Sequence, residues 1–216
     1  SFNSRNIAQI ARDKCLSAGI FDKVIISSDD PYFEELANCN KVEFLLRNKN
    51  LAGDDATTDK VVDFFFKKFD SCESILWVNS VSPLQSVQDI KNCALHLNDK
   101  NVDCVMAVNT LYQHCCIANE PLNFNPHNPF EKTQDLIPIQ RYIYSCMGWK
   151  RETYVKHRNK GFKGLFPGKM ALVEASILAG MLIKYEEDFI VCSKIEEAIG
   201  FVPNSEIPRS IVTTHH

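Results

Sequence analysis

Residues 74–90 read S-I-L-W-V-N-S-V-S-P-L-Q-S-V-Q-D-I, and this stretch decides the fold. Ile75 to Val78 form an apolar run of strand length with no polar alternation, the pattern of a strand covered on both faces in a parallel sheet. Asn79 to Ser82 end it. Pro83 cannot donate to a sheet ladder, Ser82 before it is biased away from the helical region, and Ser86 is placed to cap a following helix. The order is strand, loop, helix, with the loop at the strand's carboxyl end, where open α/β sheets bind ligands. The same residues also suit an ordinary βα turn, because Ser and Pro have turn chemistry of their own.

Upstream, Ile7, Ile10, Ala11, Cys15 and Leu16 recur at helical spacing, and Gly19 is placed to end that helix near Ala18. Val24 to Ile26 reads as a short buried strand that stops in Ser27-Ser28-Asp29-Asp30 before Pro31, a second strand-to-helix loop. Val42 to Leu46 reads as a strand and Thr57 to Phe69 as an amphipathic helix. Downstream come a helix over Gln88 to Leu97 and a strand over Val102 to Val108. This alternation predicts an α/β fold of βαβ units with a doubly wound, mostly parallel sheet. From Tyr112 to Pro138, prolines and asparagines replace apolar repeats, so residues 112–138 read as an excursion from the core, functional or interfacial in character. Arg141 to Met147 suits a strand, Glu152 to His157 a short helix, and Glu186 to Ile199 a closing helix with Phe189, Ile190, Cys192 and Ile195 inward. The tail after Gly200 has no clear pattern, and no repeat, low-complexity tract or linker divides residues 1–216, which read as a single domain.

A chain of 216 residues can bury one main core. Its formal charge of -3 and sequence pI near 6.1 give no general basic field, which argues against a nucleic-acid partner. The nine cysteines are scattered, odd in number and free of CxxC pairs. They read as buried free thiols of a cytoplasmic protein in a reducing compartment, rather than a disulfide framework or a zinc site. No basic-then-apolar leader opens the chain. The longest apolar stretch, Ala171 to Ile183, contains Glu174 and is too short for a bilayer, so a soluble protein without a membrane partner is expected. His215 and His216 have the character of a purification-tag remnant.

Asp29 and Asp30 end one strand, and Asp54 and Asp55 precede the Thr57 helix. Carboxylates so placed can hold a divalent cation against phosphate oxygens, although Asp55 and Thr57 equally suit helix capping. Arg47, directly after a strand, can bind a phosphate or carboxylate or simply be solvated. His114 and His127 lie in the excursion and read as surface or core residues rather than catalysts. No nucleophile triad or Walker-type loop is present, so covalent hydrolase and P-loop ATPase chemistry have no support.

Taken together these residues resemble the acylneuraminate cytidylyltransferases, the CMP-sialic acid synthetase family, over roughly Phe2 to Phe189. F-N-S-R-N resembles the family's segment ending in G-K-P, and A-G-I-F-D-K-V-I-I-S-S-D-D resembles S-G-L-F-D-x-V-x-V-S-T-D-D. F-L-L-R and L-A-G-D-D-A-T-T resemble F-x-R-P and L-A-x-D-x-A-x-T. V-N-S-V-S-P-L-Q resembles L-Q-P-T-S-P-L-R, T-Q-D-L-I-P resembles R-Q-D-L-P-P, and E-E-D-F resembles the end of D-I-D-T-E-E-D-F. The fragments occur in the family's order.

The resemblance implies a sheet of the nucleotide-diphospho-sugar transferase type, with a small dimerisation extension that crosses to a partner subunit in a homodimer, a role suited to residues 112–138. It implies a cytidylyltransferase that joins CTP to a nine-carbon nonulosonic acid, such as sialic, legionaminic or pseudaminic acid, and releases pyrophosphate. Magnesium (Mg2+) would neutralise the phosphate charge. Arg47, Ser82, Asp29 and Asp30 would lie near the nucleotide, with Asp30 catalytic, and Gln113 and Gln134 nearer the sugar. The sequence departs from the pattern in several places. The family's first strand and its loop rich in Gly, Arg and Lys are expected before Phe2. Leu182-Ile183-Lys184 stand where the family has D-I-D for its metal, leaving Lys184 to occupy the cation's place. Gln85 replaces the arginine of S-P-L-R, and Ile143 to Met147 replace N-G-A-I-Y. A catalytically silent homologue that binds nucleotide or a protein partner is the alternative these departures raise.

Overall fold

In the computed structural model, which describes residues 2, 5–53 and 56–200, β4 (Cys104–Leu111) is the strand about which the layers are built. Its first six residues are all buried. Cys104, Met106 and Val108 face α2 (Thr58–Lys68) and α4 (Arg151–Asn159), packing with Val62, Phe66 and Tyr154. Val105 and Ala107 face α3 (Val87–Asn98) and pack with Cys93 and Leu97. The run Cys104 to Val108 is apolar at every position and covered on both faces, which is why it lacks the polar alternation of a half-exposed strand.

Four strands form the larger sheet in the order β3 (Ser74–Val78), β7 (Ile139–Lys150), β4, β8 (Met170–Glu174). β8 runs parallel to β4, whereas β7 is antiparallel to both β3 and β4. β3, β4 and β8 therefore share a direction, and β1 (Val24–Ser28) and β2 (Val42–Leu46) form a separate parallel pair. The fold is the expected mixed α/β type with mostly parallel strands. Its larger sheet is knitted together by an antiparallel strand that alternation of elements did not announce. β7 fits between its neighbours through Gly148, where a Cβ would come within 2.8 Å of Leu76 Cδ1 and of Leu97 Cδ2.

α1 (Ile7–Ala18) ends at Gly19, whose φ of 68° lets its N–H turn back to the Leu16 carbonyl. Cys15 and Ala18 of α1 and Ile90 of α3 form a cluster on which Val24 of β1 and Leu76 and Val78 of β3 all rest. Among the described residues no ladder joins β1 to β3, so each is paired along one edge alone. All nine cysteines are free, and burial pushes the thiols of Cys15 and Cys104 up to about 12. No helix of the described residues is long and apolar enough to cross a membrane.

The loop after β1 does lead into a helix, of 3-10 type, over Pro31–Ala37. Several local expectations are corrected. Thr57 makes no side-chain cap hydrogen bond to the helix amides, and its hydroxyl bonds Asp59 instead. β8 and the small hairpin of β5 (Cys116–Ile117) and β6 (Glu120–Pro121) were not legible. In α5 (Glu186–Gly200), Cys192 is buried and Phe189 and Ile195 pack on Phe2 and Ile10, but Ile190 is 54% exposed, because it lies off the stripe those residues form. Asp54, Asp55 and the tail from residue 201 lie outside the described residues.

Candidate functional site at the carboxyl ends of the strands

β1 and β2 are in parallel register, with Ser28 opposite Leu46, so their carboxyl ends deliver Asp29, Asp30 and Arg47 to one edge. The backbone N–H of Arg47 donates to the Ser28 carbonyl at 2.8 Å, which fixes the arginine beside the acidic pair. Asp30 accepts the Tyr32 N–H on Oδ1 at 2.9 Å, capping the 3-10 helix, while its own N–H donates to Ser28 Oγ at 3.1 Å. Both aspartates are exposed. Arg47 Nε is buried and has no hydrogen-bond partner among the described residues. A guanidinium with an N–H withheld from water and unspent on protein is a strong donor for a phosphate or carboxylate oxygen.

The loop after β3 is a second construction, held by several hydrogen bonds. Asn79 N–H donates to the Ser145 carbonyl of β7 at 2.9 Å, and the Asn79 carbonyl receives Ser82 N–H at 3.1 Å and Gln85 Nε2 at 3.1 Å. Ser82 is 1% exposed and its hydroxyl donates to the Ala179 carbonyl at 2.6 Å. The hydroxyl expected to meet nucleotide is thus committed to holding the loop against the turn Ile177–Gly180. Gln85 is equally buried, and its Oε1 has no partner among the described residues.

Lys184 is carried to this loop from far along the chain, because Ile183 N–H donates to the Val81 carbonyl at 2.8 Å. Its side chain is exposed, and its N–H, with that of Tyr185, donates to Asp188 Oδ2. Those two amides hold the Asp188 carboxyl below the usual range. Gln113 and Gln134 are exposed on the excursion, and among the described residues no hydrogen bond links either side chain to the edge that holds Asp30 and Arg47. The structure therefore brings together Asp29, Asp30 and Arg47, separately brings Lys184 to the loop that contains Ser82, and leaves the glutamines apart.

Sequence reasoning passed over a polar group at the carboxyl ends of β4 and β8 in the larger sheet. Glu174, at the end of β8, accepts the Thr110 N–H at 3.0 Å and also the Thr110 hydroxyl. Arg141 Nη2 donates to Asn109 Oδ1 at 3.0 Å, and Asn109 in turn donates to the Ala175 and Ser176 carbonyls. The one signal available was Glu174 itself, a carboxylate interrupting the longest apolar stretch. A resident divalent cation does not fit the side chains present at 182–184. Leu182 offers no oxygen and Lys184 repels a cation. Among the described residues no group of three or more His, Cys, Asp and Glu side chains converges on a point where a metal could sit.

A family model described as Cytidylyltransferase matches residues 1–141. The chain belongs to the cytidylyltransferase family. No curated protein matches it in sequence. Among solved structures, 4-diphosphocytidyl-2C-methyl-D-erythritol synthase from Anaerococcus prevotii is similar with a TM-score of 0.65 at 13% identity, over 89% of this chain and 90% of that one. CMP:2-keto-3-deoxy-manno-octonic acid synthetase, solved with CTP, is similar with a TM-score of 0.63 at 8% identity, over 89% and 88%. 2-C-Methyl-D-erythritol 4-phosphate cytidylyltransferase from Francisella tularensis reaches 0.57 at 11%, again over 89% and 88%. At such identities the likeness concerns the fold, and this family member shares the α/β sheet of those enzymes.

Proposed function

We propose that this cytidylyltransferase-family chain activates an acidic sugar of the nine-carbon nonulosonic class with CTP. The anomeric hydroxyl oxygen forms a bond to the α-phosphorus, the bond from that phosphorus to the bridging oxygen breaks, and pyrophosphate leaves. The hydroxyl proton passes to a base. Reactions of this kind depend on positioning and on charge placed where the phosphates gather it. The observation that carries the reading is Arg47, whose buried, unpartnered Nε stands at a strand's carboxyl end beside Asp30. It supplies the donor for nucleotide phosphate. Asp30 commits Oδ1 to Tyr32 and keeps its other oxygen for the hydroxyl proton. The exposed Lys184 offers a positive charge in place of a cation.

In this reading residues 112–138 form the contact between two subunits. They leave and rejoin the sheet at the Leu111–Ile139 pair, and Asn123 ties them through Cys115, Gln113 and Ile137. Phe130 is 80% exposed and Ile137 75% exposed, an apolar display that suits burial against a second copy. Light scattering at micromolar concentration should report a dimer, and a monomer there would remove this part of the proposal. The free thiols favour a reducing compartment such as the cytoplasm.

The decisive experiment is calorimetry with CTP together with pyrophosphate release from sialic, legionaminic and pseudaminic acids, with and without magnesium. Binding and turnover with one of these sugars is the expected result, with CTP affinity reduced roughly tenfold to a hundredfold in Arg47→Ala, the range for a lost charged hydrogen bond. A second reading, a silent homologue that binds nucleotide, is favoured by Leu182 and Lys184. Binding of CTP without turnover would select it, and absence of both would remove both readings.

A further inference from the structure

At the opposite end of the larger sheet, where Ser74 of β3 pairs with Lys150 of β7, lies a cleft of about 930 Å³. The length of β3 separates it from the Asn79–Gln85 loop, roughly 13 Å at the usual strand rise. Its walls carry five cations, Lys100, Lys150, Arg151, Lys156 and Lys160, against two carboxylates, Glu73 and Glu152. The concentration of positive charge stands out in a chain whose formal charge is -3.

These cations are not equivalent. Arg151 spends its guanidinium on the Phe66 and Phe69 carbonyls, at 2.5 and 3.2 Å, and Lys150 donates to the Asp99 carbonyl at 2.6 Å. Among the described residues Lys100, Lys156 and Lys160 form no ion pair. Lys156 and Lys160 are four residues apart, on one face of α4 and its cap, where like charges repel. Lys100 reaches the cleft from the turn between α3 and β4. A structural role would set these ammonium groups against carboxylates, whereas here they line a concave space together. Ser74, Asn98 and Asn159 add neutral hydrogen-bonding groups to the same walls.

We propose that this cleft is a second anion site, which takes a ligand bearing a chain of two or more phosphate groups. Ammonium groups drawn from separate elements suit an extended polyanion better than a single compact anion. Flexible lysines act as point charges toward phosphate oxygens without requiring the planar fork of a bound carboxylate. The site is independent of the Arg47 edge and does not rest on the reaction proposed for that edge.

The test is calorimetry with inorganic triphosphate at low ionic strength, on the wild-type chain, on Arg47→Ala and on the triple variant Lys100→Glu, Lys156→Glu, Lys160→Glu. All three lysines are exposed, so circular dichroism should show the triple variant folded. The expected result is binding that persists in Arg47→Ala, weakens with added salt, and falls at least tenfold in the triple variant. Comparing triphosphate with CTP in Arg47→Ala separates two sources of the same chemistry: equal affinity assigns the site to the phosphate chain alone, and preference for CTP assigns it to a nucleotide. Unchanged affinity in the triple variant, loss of all binding in Arg47→Ala, or no binding at millimolar triphosphate would each overturn the proposal.

Discussion

The ammonium of Lys14 lies 2.7 Å from the carbonyl oxygen of Gln85, and it donates to the Pro83 carbonyl as well. A lysine of α1 thereby closes the loop that follows β3. Lys14→Met keeps the aliphatic packing and leaves two carbonyls without their donor, which should cost about 1–3 kcal/mol in urea unfolding. Burial holds the Lys14 pKa below 10.5, with Glu196 partly opposing. The unfolded chain therefore binds the proton more tightly, and the Lys14 contribution should improve as pH rises from that lowered pKa towards 10.5. An unfolding free energy that differs between the two proteins by the same amount across that window would contradict this.

Asp89 is 6% exposed and serves two elements. It completes the capping box of α3 with Ser86 and accepts the N–H and hydroxyl of Ser176 at 2.9 and 2.8 Å. Asp89→Ala should destabilise the protein by roughly 2–4 kcal/mol, from a lost cap plus stranded buried donors. Ser86→Ala removes the cap alone and should cost about 1 kcal/mol. Equal losses in the two variants would show that the Ser176 link contributes nothing.

Gly148→Ala places a methyl against Leu76 and Leu97 at a distance that real Cβ atoms do not tolerate, with the Ile75 carbonyl 3.1 Å away. The leucines can turn but the backbone between β3 and β7 cannot, so a loss of about 1–3 kcal/mol is expected from overpacking. A thermal midpoint equal to wild type would mean that the strands move apart freely.

Asp103 accepts the Lys169 N–H at 2.7 Å and the Thr153 hydroxyl at 2.5 Å. These bonds hold its carboxyl below 3.8 in the folded chain, the amide first. Its stabilising contribution is complete above the unfolded value and is lost as pH falls through the lowered folded value. In acid titration of stability, Asp103→Asn should show a shallower decline below pH 4 than wild type. An identical acid limb would exclude Asp103 as a contributor.

Lys184 and Leu182 stand beside the Val81–Ser82 loop, fastened there by the Ile183 to Val81 hydrogen bond. Leu182→Asp combined with Lys184→Asp should make pyrophosphate release more dependent on magnesium, whereas Lys184→Ala alone should weaken CTP binding without creating that dependence. Unaltered magnesium dependence in the double variant would mean that this segment does not face the phosphates.

Local chemistry was legible where a few neighbouring residues settle it. The end of α1 at Gly19, the span Val42–Leu46 and the Ser86 cap were all readable, because periodicity, a left-handed turn and a capping hydroxyl act within one or two turns of chain. Leu111 and Ile139 pair across β4 and β7. The direction of β7 was not legible, since strand orientation depends on which distant edge a segment reaches. Nor was Ile190, whose apolar character says nothing about which side of α5 finds a partner.

For the site the division is sharper. By itself the sequence determined which side chains carry charge at the ends of strands: Asp29, Asp30 and Arg47 are read directly from apolar runs that stop in polar residues. Only the tertiary structure decided how each spends its hydrogen-bonding capacity. It committed Ser82 to Ala179, Asp89 to Ser176 and Lys14 to Pro83 and Gln85, and it left Arg47 Nε buried without a partner among the described residues. A side chain's donors and acceptors are properties of the residue, but whether they are free for a ligand depends on partners that folding brings from far along the chain.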